Sequence, residues 1–344
     1  MISSRQADVR TGRASVLPAA AAVALLASVA TSLVIGTGGI GYGDLVSVIG
    51  VRLGLPVEPL APLTDSLIWQ LRIPRVLLAA TVGAALAVCG AVLQALTRNA
   101  LADPYLLGVS SGASTGAVLV VVTGIGSTVG VTAGALAGAL SAFGLLLLLL
   151  RGSGLDSLRV VLTGVVVGQL FTALTSLLLM ASGDADTTRS VTYWLLGSLA
   201  SARWDGVILC AIATASALLV ARYYASSLDA LGFGADTAAS VGVDVRRTRL
   251  VLLVVTSTLT AVAVSAVGAI GFVGLIVPHG VRFLAGPLHR TLLPYSAVAG
   301  AVFLVWADAL ARVLLAPQEV PVGVFTALAG VPLFLLILRR RGEL

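Results

Sequence analysis

Three arginines, Arg72, Arg75 and Arg312, stand at the ends of apolar runs, the first two where a helix gains nothing from a positive charge. Arg72 and Arg75 bracket Pro74, a residue that suits the first turn of a helix. That end of a helix favours anions. Cations placed there either meet an anion outside the helix or reach along their stems to lipid headgroups. A second set is His279 and Arg282, three residues apart and therefore on one helical face, with Asp308 further along. Titratable groups in an apolar run could relay protons, or could satisfy backbone at the helix break that Pro278 imposes. A third set lies in Ser226–Arg249, SSLDALGFGADTAASVGVDVRRTR. Asp229, Asp236 and Asp244 alternate there with small residues, and Arg246, Arg247 and Arg249 close the stretch. Gly232 and Gly234 break it early; Ala235–Val241 then suits a short helix, with Asp236 near its start and Gly242 as its stop. Such a segment is either a solvated connection or a surface for another protein. Nucleophilic and metal chemistry find no constellation: there is no HExxH, no Walker A sequence, no Ser/Lys pair and no paired aspartates. Cys89 and Cys210 lie inside apolar runs and read as small hydrophobes, while His279 and His289 lack ligand spacing.

The elements that must position these residues are dictated by composition. The chain has 344 residues, 58% hydrophobic and 10% charged, and its mean hydropathy is +1.07. Runs of about 18 or more apolar residues recur, each long enough to cross a hydrocarbon core of roughly 30 Å. Backbone groups in lipid must bond within their own segment, so the fold class is all-α and polytopic. Nine runs qualify, 17–35, 74–96, 105–123, 129–150, 158–180, 204–223, 250–267, 292–311 and 321–338, and a shorter run, 270–284, interrupted by Gly271, Gly274 and Pro278, makes ten. They form one transmembrane domain, 17–341, between tails 1–16 and 342–344, with both termini inside. Residues 36–71, carrying Pro56, Pro59 and Pro62, and 181–203, with Asp184, Asp186 and Arg189 before Tyr193 and Trp194, fall outside. All 21 basic residues are arginine. Six of them (Arg52, Arg72, Arg75, Arg189, Arg203 and Arg312) lie on the outer side and the other fifteen on the inner, as the positive-inside bias requires. Residues 226–249 are thus placed in the cytoplasm. Because the arginines are scattered at helix ends, the net charge of +6 gives no argument for nucleic acid.

Four stretches carry a family resemblance. They are WQLRIPRVLLAATVGAALAVCGAVLQALTRNALADPYLLGVSSGASTG from Trp69, LGFGADTAASVGV from Leu231, GAIGFVGLIVPHGVR from Gly268 and WADALARVLLAPQEVPVGVFTALAG from Trp306. In this order they resemble the FecCD-type permeases of bacterial type II ABC importers, which take up iron–siderophore complexes, haem and cobalamin. Asn99-Ala100 departs from the family's usual Asn-Pro, implying the same fold with a less rigid turn. The resemblance implies ten helices per subunit, arranged as two halves of opposite orientation. It implies a second permease subunit, usually identical, with the pathway between the two. It also implies two cytoplasmic ATPase subunits, which hold the ATP and magnesium, and an extracytoplasmic substrate-binding protein. No cofactor is expected on this chain itself.

The same resemblance implies residue roles. Arg72, Arg75 and Arg312 would pair with acidic residues of the binding protein. Leu231, Gly232, Ala235, Ala239, Gly242 and Val243 would face the ATPase. Ser157 and Leu158, in the turn from Arg151, would form a cytoplasmic gate, or an ordinary tight turn. Thr163, Gly164, Gly168, Gln169 and Thr172 would line the pathway, or pack helices. An ion-coupled transporter would need a mid-span carboxylate, and none is present. The expected cargo is a bulky chelate, first a ferric siderophore, with haem or cobalamin as the alternative.

Overall fold

The computed structural model describes residues 3–36, 39–124, 128–152, 154–182 and 185–341. Asp184 and the tail 342–344 lie outside the described residues. The helices are α1 Ser3–Val34, α2 Tyr42–Arg52, α3 Pro62–Ser66, α4 Ile73–Thr97, α5 Val109–Val122, α6 Thr128–Leu149 and α7 Ser157–Ser182. They continue as α8 Ala185–Leu195, α9 Trp204–Tyr223, α10 Ala225–Gly232, α11 Ala235–Ser240, α12 Val245–Val267, α13 Val273–Ala285, α14 His289–Val313 and α15 Val322–Arg341. Among the described residues six helices are long and apolar enough to cross a membrane, and four shorter apolar ones accompany them. This is an all-α, multi-pass protein of the cell membrane.

The centre of the bundle is α4. Its apolar window is 83% buried, against 28% for α6, α7 and α9. Glycine makes that burial possible: a methyl on Gly83 would strike the Gly300 carbonyl of α14, and one on Gly90 the Gly274 carbonyl of α13. Small residues at such crossings let backbones touch, which is how helices associate in lipid. Pro278 within α13 has no N–H for the carbonyl of Gly274. The side-chain amide of Gln94 on α4 donates to that carbonyl at 3.3 Å and to Leu275 at 3.2 Å.

Several boundaries differ from the expected runs. The second helix does not begin at Pro74; a wide turn over Leu67–Arg72 feeds into it, and Ile73 N–H bonds to the carbonyl of Ile68, five residues back. Pro74 has no N–H to give back to the preceding turn, and the carbonyl of Trp69 there accepts from Trp204 Nε1 at 2.9 Å. The third run is helical from Val109, not Tyr105. Asp103 accepts from Tyr105 N at 2.9 Å, Pro104–Leu107 forms a 3-10 turn, and Gly108 (φ 75°) redirects the chain. The seventh starts at Val245, not Leu250, because Asp244 caps the helix by accepting from Arg247 N at 2.9 Å. The first helix is continuous through Pro18 and begins at Ser3.

The breaks before α5 and α13 meet. Tyr105 donates its hydroxyl to the carbonyl of Ile270 at 2.8 Å and accepts from Ile270 N at 2.8 Å. Phe272 at φ 70° opens α13 beside it. One side chain thereby satisfies both backbone groups of an irregular segment buried among helices.

Candidate functional site

At one end of the bundle Arg72, Arg75 and Arg312 line a recess of about 420 Å³ together with Glu319 and Leu71. Their guanidinium groups are turned inward. Arg75 bonds Asp308 at 2.9 Å and Glu319 at 2.8 Å. Arg312 bonds Asp308 at 3.2 Å and donates to the carbonyls of Ser32 and Ile35, both at 2.9 Å. Arg72 donates to the carbonyl of Leu33 at 2.8 Å. Ser32, Leu33 and Ile35 belong to the final turn of α1 and the residue after it, where helix carbonyls lack partners and cations are favoured. Arg312 is thereby turned toward α1 and is 9% exposed. The physical reason is that α14 continues to Val313 and places Arg312 one turn beyond Asp308, facing α1. Asp308 is 1% exposed and held between two guanidinium groups, so it is not available to a proton relay with His279. His279 is buried against the edges of Phe283 and Phe334.

At the other end the polar stretch folds into two short helices where the sequence suggested one. Glycines set the corners: Gly234 has φ 114° and Gly242 φ 87°. Helix α10 buries Leu228 and Leu231 and packs on α4 and α14. Asp229 accepts from the backbone N–H of His289, the first residue of α14, at 3.0 Å and meets its Nδ1 at 2.6 Å. Helix α11 buries only Ala238. Gly232, Ala239 and Gly242 are exposed, and Ala235 and Val243 are half-buried. Leu231, at 2% exposure, packs into the core. Sequence reasoning chose small residues and passed over the two side chains that project: Phe233 is 80% exposed and Val241 69%. A lone phenylalanine in a polar, glycine-rich stretch was the available signal.

The turn from Arg151 is tied to both neighbours of this segment. Ser157 donates to the carbonyl of Leu96, near the end of α4, at 2.9 Å. Arg249 on α12 donates to the carbonyl of Leu155 at 2.8 Å. Leu158 is 65% exposed. Along α7 the expected lining residues divide. Gly164 is buried, and a methyl there would strike the Leu106 carbonyl; Gly168 packs beside Gly108. Both glycines make helix-packing contacts. Thr163 is half-buried, while Gln169 and Thr172 are exposed and continue to Ser176 along one face. That face also carries Leu158, Leu162 and Val165, giving a mixed polar and apolar stripe on an outward helix side.

Comparison with known proteins adds to this geometry. The model of the FecCD transport family matches residues 24–340. The chain is 43% identical over 278 residues to the cobalamin import system permease protein BtuC of Halobacterium salinarum, covering 80% of this chain and 74% of that one. It is 40% identical to the hemin transport system permease protein HmuU of Yersinia pestis, covering 80% and 84%. It is 39% identical to the iron(3+)-hydroxamate import system permease protein FhuB of Bacillus subtilis, covering 80% and 72%. A solved chain described as an inward-facing metal-chelate type ABC transporter superimposes with a TM-score of 0.81 at 31% identity, covering 93% of this chain and 98% of that one. The central α4, the breaks joined by Tyr105 and the projecting helix α11 thus occur within a match spanning nearly the whole length, and the chain belongs to the FecCD transport family.

Proposed function

We propose that this chain is the membrane-spanning subunit of an ATP-driven importer for a bulky metal chelate or related cofactor. The observation that carries the reading is α11 with its projecting Phe233 and Val241, held on a base tied to three helices. In this reading the ten apolar helices cross the membrane, residues 225–244 face the cytoplasm, and a separate ATPase grips α11. ATP binding there moves α11; Asp229 passes the motion to α14, and Asp244 and Arg249 pass it to α12 and the 154–157 turn. Packed helices with two arrangements convert such displacement into rocking of one bundle against another. A second copy of the chain faces α7, and solute passes between the copies along Gln169 and Thr172, which offer weak polar contact without a binding site.

On the outer side an acidic binding protein meets the recess through Arg72 and Arg75, with Arg312 contributing its field from beneath. Charge pairs of this kind set orientation and encounter rate more than affinity. Ferric siderophore is the first cargo in this reading, supported by the iron-hydroxamate relative; the cobalamin and hemin relatives support a corrin or haem as the second. The test is co-purification of the ATPase with the double variant Phe233→Ser/Val241→Ser. Removing two apolar anchors from an interface costs about 2 kcal/mol or more, so retained ATPase is expected to fall at least about tenfold. Full retention would reject α11 as the contact.

A further inference from the structure

A cleft of about 780 Å³ lies between the end of α6, the turn after it and the start of α12. Its walls include Leu147, Leu148, Leu155 and Leu250, and its polar lining includes Arg151 and Arg246. Both arginines are exposed, and among the described residues neither has a carboxylate partner. Beyond the cleft, Leu140, Gly144 and Leu148 are exposed along one face of α6, and Leu250 and Val254 along one face of α12. Gly144 has nothing within 4 Å of where a methyl would stand, so the cleft is open there. Two guanidinium groups above two apolar helix faces match a phosphate headgroup above acyl chains.

We infer that this cleft is a binding site for an anionic phospholipid of the inner leaflet, with Arg151 and Arg246 holding its phosphate. Basic pockets between membrane helices on the cytoplasmic side recognise such headgroups. Arginine forks also suit phosphate oxygens bidentately. The location gives the lipid a consequence. Leu155 forms one wall, and its carbonyl is held by Arg249 of α12. A bound headgroup would therefore brace the 151–155 turn against the helix that follows α11.

The test uses the purified full-length chain in neutral detergent, with phosphatidylglycerol, phosphatidylcholine and inorganic phosphate added separately. Native mass spectrometry reads bound lipid, and a thermal melt reads stabilisation. The wild type is expected to retain phosphatidylglycerol over phosphatidylcholine and to melt higher with it. Arg151→Gln/Arg246→Gln should lose that preference by about tenfold or more, whereas the control Arg339→Gln should keep it. Equal retention of both lipids by the wild type would overturn the proposal. So would an unchanged preference in the double variant, or stabilisation by inorganic phosphate as large as by the lipid. A double variant that binds lipid normally but loses its ATPase would assign the cleft to a protein contact and overturn it as well.

Discussion

Asp308 shows how a single residue can redirect the reading of its neighbours. Considered along the chain, Arg75 is a cation at the end of a helix that favours anions, and Arg312 is a last-turn cation that the helix dipole alone would explain. In space they share one carboxylate that is 1% exposed, and Arg312 together with Arg72 caps the carbonyls closing α1. Removing one member of a buried ionic group leaves the others uncompensated, at a cost of about 3–5 kcal/mol. Asp308→Ala is therefore expected to lower the melting temperature strongly. Glu319, 46% exposed at its side chain, contributes a surface pair worth at most about 1 kcal/mol. Glu319→Gln should shift the melt little. Comparable shifts for the two variants in a detergent melt would contradict the arrangement. These contacts were not legible in advance because Arg75 and Asp308 are 233 positions apart. No periodicity within α4 or α14 announces which cation a distant carboxylate will choose.

Elements were more legible than contacts. Apolar length located the membrane helices, and Trp204–Tyr223 begins and ends where hydropathy alone put it. Errors concentrated where backbone chemistry departs from a plain helix. The wide turn before Pro74, the 3-10 turn after Asp103 and the Asp244 cap each moved a boundary by several residues. The last was recoverable: an aspartate followed by an uninterrupted helical pattern is a start signal. Within residues 225–244 the glycine corners were readable and the buried side of α10 was not, since Leu228 and Leu231 find their partners on α4 and α14. The link from this segment to the gate turn rests on one hydrogen bond, Arg249 to Leu155. In the proposed mechanism Arg249→Gln should leave ATPase binding intact while slowing transport about tenfold, the worth of a charged hydrogen bond. Transport at the wild-type rate in reconstituted vesicles would show that the turn is moved by another route.

At the scale of the whole molecule, one physical arrangement joins the two ends. A buried central helix, α4, carries Arg75 at one end and bonds to Ser157 through Leu96 at the other. The helices it packs against, α13 and α14, meet it through glycine contacts that forbid sliding without repacking. Movement imposed at α10 and α11 therefore reaches the arginine recess as a tilt of packed helices, not as local unfolding. In the proposed reading cargo identity has no such footprint, because the outward stripe on α7 mixes mild polar groups with leucine and valine. The central claim, that an ATPase holds this chain by the loop preceding α12, is tested most directly by placing a photo-crosslinking residue at Ala239 and irradiating membranes that contain the complete transporter. The account predicts an adduct with the ATPase whose yield changes when ATP is bound. Crosslinking of Ala239 to an extracytoplasmic protein, or its labelling by an impermeant reagent added outside intact cells, would contradict it.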